Sequence, residues 1–262
     1  DGTAEHSGIT ELPSEDQGVM VLQVWEGGSK LVRTPQLAAD RNTRTRTLLV
    51  QLATDGSARV DGDEQVTGDE AAGYRDYYQA VGTRAERFER TLAALYPGVE
   101  LQSQKFEALD DLNKPVRYSY RIRVPELGRW NGDELQVPPS ALGDLVRNMA
   151  RTPTRVHPLD LSIARAYVED RTLELPTGMR TETLPKGGEA SSIWGKLAVS
   201  YSAQKNGVKV RTEFTVARDR VAPSEYPAFR KWVESADQLL RERIGFRSTA
   251  PHAVSASKAG AQ

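Results

Sequence analysis

Leu197-Ala198-Val199-Ser200-Tyr201-Ser202-Ala203-Gln204-Lys205-Asn206-Gly207-Val208-Lys209-Val210-Arg211-Thr212-Glu213-Phe214-Thr215-Val216 alternates apolar and polar residues on both sides of Asn206-Gly207. Period two is the spacing of a strand with one buried face. Asn-Gly suits a type I′ turn because both residues tolerate positive φ. A two-residue turn there pairs Ala203 with Val210, Tyr201 with Thr212, Val199 with Phe214 and Leu197 with Val216, all on one face. The stretch predicts an antiparallel hairpin and, with its flanks, a β-rich α+β fold.

On its C-terminal side, Ser224 reads as the cap of an amphipathic helix. Its apolar stripe is Tyr226, Phe229, Trp232, Val233, Ala236, Leu239, Leu240 and Ile244. Residues 247–262, rich in Ala, Ser and Gly, read as a disordered tail. On its N-terminal side, β-like runs at 161–168, 171–176 and 179–185 follow a short helix capped by Ser140 and bearing Leu142, Leu145, Val146 and Met149. Residues 128–246 thus read as a β-sandwich-like C-terminal domain.

Residues 37–127 read as an α+β accessory domain built on an antiparallel sheet. Leu48, Val50 and Leu52 alternate, and a three-residue loop Asp55-Gly56-Ser57 would place Leu52 opposite Val60 on one face. Asp69 opens a helix with Tyr74, Tyr77, Tyr78 and Val81 on one face, ended by Gly82. Thr83 and Glu86 then form a capping box for a helix burying Ala85, Phe88, Leu92 and Leu95, which stops at Pro97-Gly98. A strand from about Val99 precedes Val116–Val124, whose Val116, Tyr118, Tyr120, Ile122 and Val124 face one way. Before all this, residues 1–36 hold two runs, 19–25 and 30–33, joined by Glu26-Gly27-Gly28-Ser29 as a hairpin loop.

Composition narrows the chemistry. A length of 262 residues suggests about two domains. Lys+Arg 35 against Asp+Glu 36 leaves a net charge of −1, which argues against nucleic acid as a partner. No apolar run reaches the roughly 20 residues of a membrane-spanning helix. Cys 0 excludes disulfides, thiolate metal sites and a cysteine nucleophile within these residues, and there are three histidines, His6, His157 and His252.

Candidate sites weigh mostly toward structural roles. Asp110-Asp111 and Asp61 with Asp63 read as turn residues rather than metal ligands, and Asp61-Gly62-Asp63-Glu64 lacks calcium-loop spacing. Tyr74, Tyr77 and Tyr78 fit a core stripe better than a ligand platform. Arg41, Arg44 and Arg46 with Arg117, Arg121 and Arg123 read as solvated strand faces rather than a basic site. Gly187-Gly188 lacks phosphate-loop spacing, and His157 has no second ligand nearby. No cofactor or metal is expected.

The amino terminus is the exception. Asp1-Gly2-Thr3-Ala4-Glu5-His6-Ser7-Gly8, Leu12-Pro13, Gln17-Gly18, the Val-rich run and Thr34-Pro35 resemble the end of a bacterial transglutaminase-like domain. In that papain-like family the triad order is Cys, His, Asp, with the Asp in an Asp-x-Thr step that Asp1 and Thr3 match. The resemblance implies that Asp1 would orient the histidine that activates the thiol, in an intact parent whose Cys and His lie upstream. His6 follows Asp1 and stands in the wrong order for the base. Leu52-Ala53-Thr54-Asp55-Gly56, Gly68 to Arg75, and Asp111 to Val116 resemble the region after that core. His157-Pro158-Leu159, Leu175 to Gly178, Leu184-Pro185 and Tyr226 to Arg230 resemble its C-terminal domain of unknown function.

The implied protein is a non-catalytic C-terminal accessory region, with 1–36 the end of the core. Its partners would be the upstream core and peptide or glycan, in the periplasm or cell envelope; a cytoplasmic location is the alternative. A free-standing binding or adhesion module is the rival reading, and a carboxylate-only hydrolase ranks last.

Overall fold

Strands that alternate at period two must bury one face and leave the other wet, and eight strands of this chain do so within a single sheet. The structure is a computed structural model and describes residues 4–8 and 11–249. In chain order, β1 (Met20–Trp25) and β2 (Gly28–Arg33) precede β3 (Thr43–Leu52), β4 (Ala58–Val66), α1 (Asp69–Tyr78) and α2 (Val81–Leu95). Strands β5 (Glu100–Glu107), β6 (Val116–Val124), β7 (Arg129–Asn131) and β8 (Glu134–Val137) come next, then α3 (Leu145–Met149) and β9 (Leu159–Asp160). The remainder is β10 (Arg165–Glu174), β11 (Met179–Thr183), β12 (Gly188–Ser192), β13 (Gly195–Gln204), β14 (Gly207–Val216), β15 (Arg220–Val221), α4 (Tyr226–Arg241) and β16 (Ile244–Ser248).

The large sheet has the order β12-β13-β14-β10-β3-β4-β6-β5; a four-stranded sheet runs β11-β16-β8-β7, and β1-β2 and β15-β9 are separate pairs. The class is α+β, rich in antiparallel strands and closed by a C-terminal helix and strand. Strands from residues 37–127 and 128–246 share the large sheet. They join where β3 and β10 run parallel, from Ala166 opposite Thr43 to Glu174 opposite Gln51.

One face of the sheet carries Leu48, Val50, Val60, Val66, Val116, Ile122, Leu173, Leu197 and Val210, all buried. Helices α1 and α2 cover one end through Tyr74, Phe88 and the rings of Tyr118 and Tyr120. Helix α4 covers the other end, where Trp232 stacks on Phe214 at 6.3 Å and donates its indole N–H to the Ala190 carbonyl at 3.0 Å. That bond blunts the free edge of β12. The opposite face, with Thr47, Asp63, Arg121, Ser200, Lys209 and Arg211, is open to solvent.

Several local expectations shift, each for a physical reason. The β13–β14 hairpin turns at Lys205-Asn206, with Ala203 opposite Val208 and Leu197 opposite Phe214. Register moves by two residues, so the faces are kept. Gly207 is used for close approach rather than in the turn: a Cβ there would lie 1.8 Å from the Leu173 carbonyl oxygen, at φ +147. In β3–β4 the loop is Thr54-Asp55-Gly56, placing Leu52 opposite Ala58 and Val50 opposite Val60. Asp55 Oδ1 accepts the Ser57 N–H at 2.9 Å and pins it.

The first helix ends at Tyr78, short of Gly82. Arg84 donates Nε to the Tyr78 carbonyl and Nη2 to that of Gln79, and Arg87 donates to Tyr77, satisfying the helix end early. Val81 therefore opens α2, exposed, and the Thr83–Glu86 box does not form; α2 has no side-chain cap. Phe88 and Leu92 are buried, whereas Ala85 and Leu95 face solvent. Ser140 Oγ accepts from Leu142 N–H and helix α3 starts only at Leu145, where Asp237 of α4 accepts the N–H at 2.7 Å. The runs expected at 161–168 and 171–176 are largely one strand, β10. Ser224 does not cap α4, and Ile244 lies in β16, which carries ordered strand to Ser248, into the stretch expected as tail.

Candidate functional site

Three features are candidates for a functional site: an anchored N-terminal segment, an exposed hairpin and a buried ionic cluster. The segment is held by Arg75, which shares a face of α1 with Ala71 and Tyr78 and is 1% exposed. Its guanidinium donates to the carbonyls of His6 at 3.0 Å, Lys114 at 2.7 Å and Asp111 at 3.4 Å. Glu11 balances it at 3.9 Å. Asp69 accepts the Ser14 N–H at 2.9 Å, and Gln17 bridges Leu12 and Leu37. Two stretches singled out in the sequence, Gly68 to Arg75 and Asp111 to Val116, are thereby brought together. Gly68, at φ +68, passes where a Cβ would sit 2.3 Å from Asn42 Oδ1. Asp1, Gly2 and Thr3 lie outside the described residues, so the triad position of Asp1 has no structural description.

From this anchored segment β1 and β2 project as a ribbon. Trp25 pairs with Gly28 across a Glu26-Gly27 turn, and among the described residues neither strand pairs with another sheet. Met20, Leu22, Val24 and Leu31 share one face and are 54%, 59%, 69% and 65% exposed. Exposed apolar patches of this kind mark interaction surfaces in many proteins and are otherwise aggregation hazards.

The ionic cluster lies on the buried face of the large sheet. Glu64 accepts Arg46 Nε on Oε1 at 2.8 Å, and Arg44 Nε and Nη2 on Oε2 at 3.0 and 2.9 Å. The hydroxyls of Tyr118 and Tyr120 donate to the same carboxylate at 2.5 and 2.8 Å. Arg46 extends the cluster to Glu169 at 3.3 Å, which also accepts the Tyr167 hydroxyl at 2.6 Å. Burial by itself would raise the Glu64 carboxyl; Arg46, Arg44 and the two hydroxyls outweigh it and hold the group at about 2. Burial and the Glu64 charge push the Tyr118 and Tyr120 hydroxyls up, so they stay protonated donors. Arg44 and Arg46 titrate well above their ordinary range because Glu64 overcomes the cost of burial.

Arg44 and Arg46 are therefore not part of a solvated face; Arg117, Arg121 and Arg123 are. The signal was present: Arg46 has the parity of Leu48, Val50 and Leu52, and Glu64 that of Val60 and Val66. Glu64 and Glu169 were missed as site residues. Asp61-Gly62-Asp63 lies mid-strand in β4 rather than in a turn, and a Cβ on Gly62 would sit 2.3 Å from the Tyr120 ring. Gly62 is thus the gap through which Tyr120 reaches Glu64.

The remaining candidates are structural. Asp61 pairs with Arg121 at 2.6 Å on the open face, and Asp111 with Lys114 at 2.8 Å in its turn. Tyr74 and Tyr78 pack on Tyr118 and Phe106, while Tyr77 turns outward beneath Arg87. Gly187, at φ +73, passes the Val199 carbonyl, and His157 lies exposed in a loop. Among the described residues there is no group of three or more His, Cys, Asp or Glu arranged to hold a metal ion. No helix among them is long and apolar enough to cross a membrane.

Residues 133–246 match the family described as "Domain of Unknown Function with solved-structure structure (DUF3858)". The crystal structure of a "putative protease" from Parabacteroides distasonis is similar at 17% identity, over 44% of this chain and 23% of that one, with a TM-score of 0.36. This chain thus spans about a quarter of that protein's length. No curated protein matches the chain.

Proposed function

We propose that this chain is the non-catalytic C-terminal accessory region of a bacterial transglutaminase-like protein, and that its β1–β2 ribbon completes the sheet of the catalytic core. The carrying observation is the bare apolar face of Met20, Leu22, Val24 and Leu31 on a ribbon whose outer edges pair with no other strand among the described residues. A lone two-stranded ribbon is marginal in water and gains stability by joining a larger sheet. The Arg75 clamp supports the reading, since it fixes the segment leading into the ribbon against the accessory body. The match of residues 133–246 to a domain of unknown function supports the resemblance in that part of the chain.

In this reading Asp1 orients the histidine of the core, and the chain itself performs no acyl transfer, having no cysteine. The open sheet face around Thr47, Asp63, Lys105 and Arg121 is the surface available to peptide or glycan. An envelope location belongs to the same proposal and is read by cell fractionation.

The test compares this chain with one extended upstream through the Cys and His. Amide exchange at residues 19–34 is expected to be fast here and strongly protected in the extended chain, with acyl-transfer or peptidase activity only in the latter. Equal protection in both chains would overturn the docking role, and activity of this chain alone would overturn the non-catalytic one. A free-standing binding module, favoured by the open sheet face, predicts the first of those failures.

A further inference from the structure

Above the seam where β3 meets β10, the helices leave a crevice of about 260 Å3. Its polar lining includes Arg44, Arg46, Asn148, Arg165 and Tyr167, its apolar lining includes Leu142, Met149 and Phe214, and Glu70 of α1 also lines it. Small-molecule sites have this composition, a mostly apolar wall with a few convergent polar groups.

The charges in it are of two kinds. Arg44 and Arg46 are balanced by Glu64 and Glu169. Arg165 has no carboxylate partner among the described residues. Its Nη1 donates to the Leu161 and Ile163 carbonyls at 2.8 and 3.4 Å, which fixes the guanidinium and leaves Nε and Nη2 without a hydrogen bond among the described residues. Glu70 likewise forms no ion pair among the described residues. A half-exposed cation held in place by its own loop, an uncompensated carboxylate and an apolar wall thus line one small space.

We propose that this crevice binds a small zwitterion with an apolar side group, of the class of a free apolar α-amino acid. Its carboxylate lies on Arg165, its ammonium on Glu70, and its side group against Leu142, Met149 and Phe214. A guanidinium fork matches a carboxylate in two hydrogen bonds. The volume admits one amino acid and excludes a folded partner. A dianion is disfavoured because Glu70 repels its second charge. The site is separate from the β1–β2 ribbon, so its failure leaves the proposed function untouched.

The probes are L-leucine, 4-methylpentanoate, which lacks the ammonium, and leucinamide, which lacks the carboxylate, titrated calorimetrically against the full chain. Leucine is expected to bind about tenfold or more tightly than either analogue, the loss expected for one charged hydrogen-bonding partner. Leu142→Trp, which fills the crevice, is expected to abolish binding while the thermal midpoint stays near that of the parent. Glu70→Gln is expected to weaken leucine and leave 4-methylpentanoate unchanged or tighter. Equal binding of all three probes, no binding of any at millimolar concentration, or binding that survives Leu142→Trp in a folded variant would overturn the assignment.

Discussion

Glu64 and Arg46 meet at 2.8 Å with side chains 1% and 2% exposed, so neither charge has water to fall back on. Such a pair contributes little over an apolar substitute, but removing one partner strands the other. Glu64→Gln leaves Arg44 without a carboxylate and Arg46 with Glu169 alone, and a loss of about 3–5 kcal/mol in denaturant unfolding is expected. A loss under about 1 kcal/mol would show that water reaches the cluster.

The same carboxyl sets an acid limit. Folding lowers it from an ordinary value of 4.5 to about 2, so the folded state holds the proton less tightly than the unfolded one. Its contribution is complete above about pH 4.5 and drains away as pH falls toward 2, amounting to about 3 kcal/mol by linkage. Acid unfolding followed by circular dichroism is expected to show this slope in the parent. A Glu64→Gln chain, weaker at neutral pH, is expected to lack that portion of the slope and to approach the parent near pH 2.

Two glycines respond to alanine with opposite sign. A Cβ at Gly207 would sit 1.8 Å from the Leu173 carbonyl oxygen and at a φ of +147, so Gly207→Ala forces β14 off β10 and is expected to cost more than about 2 kcal/mol. Gly73 in α1 has nothing within 4 Å of a built Cβ, and Gly73→Ala is expected to gain about 0.5–1 kcal/mol. Thermal or denaturant midpoints of the two variants read the difference.

Asp237 acts across elements. Its Oδ1 accepts the Leu145 N–H at 2.7 Å, capping α3 from α4, while Oδ2 pairs with Arg241 at 2.7 Å. Asp237→Ala is expected to cost about 1–2 kcal/mol, the range for a lost helix cap. Amide exchange is expected to speed up at residues 145–149 and leave the β3–β4 hairpin unchanged. Uniform acceleration across the chain would show a global rather than a local role.

The exposed ribbon predicts indifference. Leu22 and Leu31 oppose each other across β1 and β2 with more than half of each open. Replacing both with Thr is expected to move the unfolding free energy of this chain by less than about 0.5 kcal/mol, as surface changes do. A large loss would mean that the ribbon already packs in this chain.

Strand existence, face and helix stripes were legible because periodicity is local: Val116 to Val124 and the Phe229-to-Leu240 stripe lie where alternation and helical spacing put them. Turn position was less so. At Asn206-Gly207 the dipeptide preference lost to a contact with β10, roughly thirty residues earlier in the chain and invisible to a local rule. The helix break after Tyr78 depends on arginines reaching backward to carbonyls, and the cap of α3 arrives from Asp237. The ionic cluster was half legible. Arg46 and Glu64 share the parity of their apolar neighbours, yet their charge reads as a solvated face and a turn, while Glu169 enters through a strand pairing that no spacing encodes.

That pairing also governs how the chain must fold. Thr43 to Gln51 waits for Ala166 to Glu174, so the centre of the sheet closes across more than a hundred residues of intervening chain. Contacts of such separation slow the search, because loop-closure entropy is lost before they form. During synthesis β3 emerges long before β10 and stands as a raw edge beside β4. A chain released at residue 127 would keep that edge permanently, and self-association of such a fragment is the cost of a seam that makes the two halves one kinetic unit.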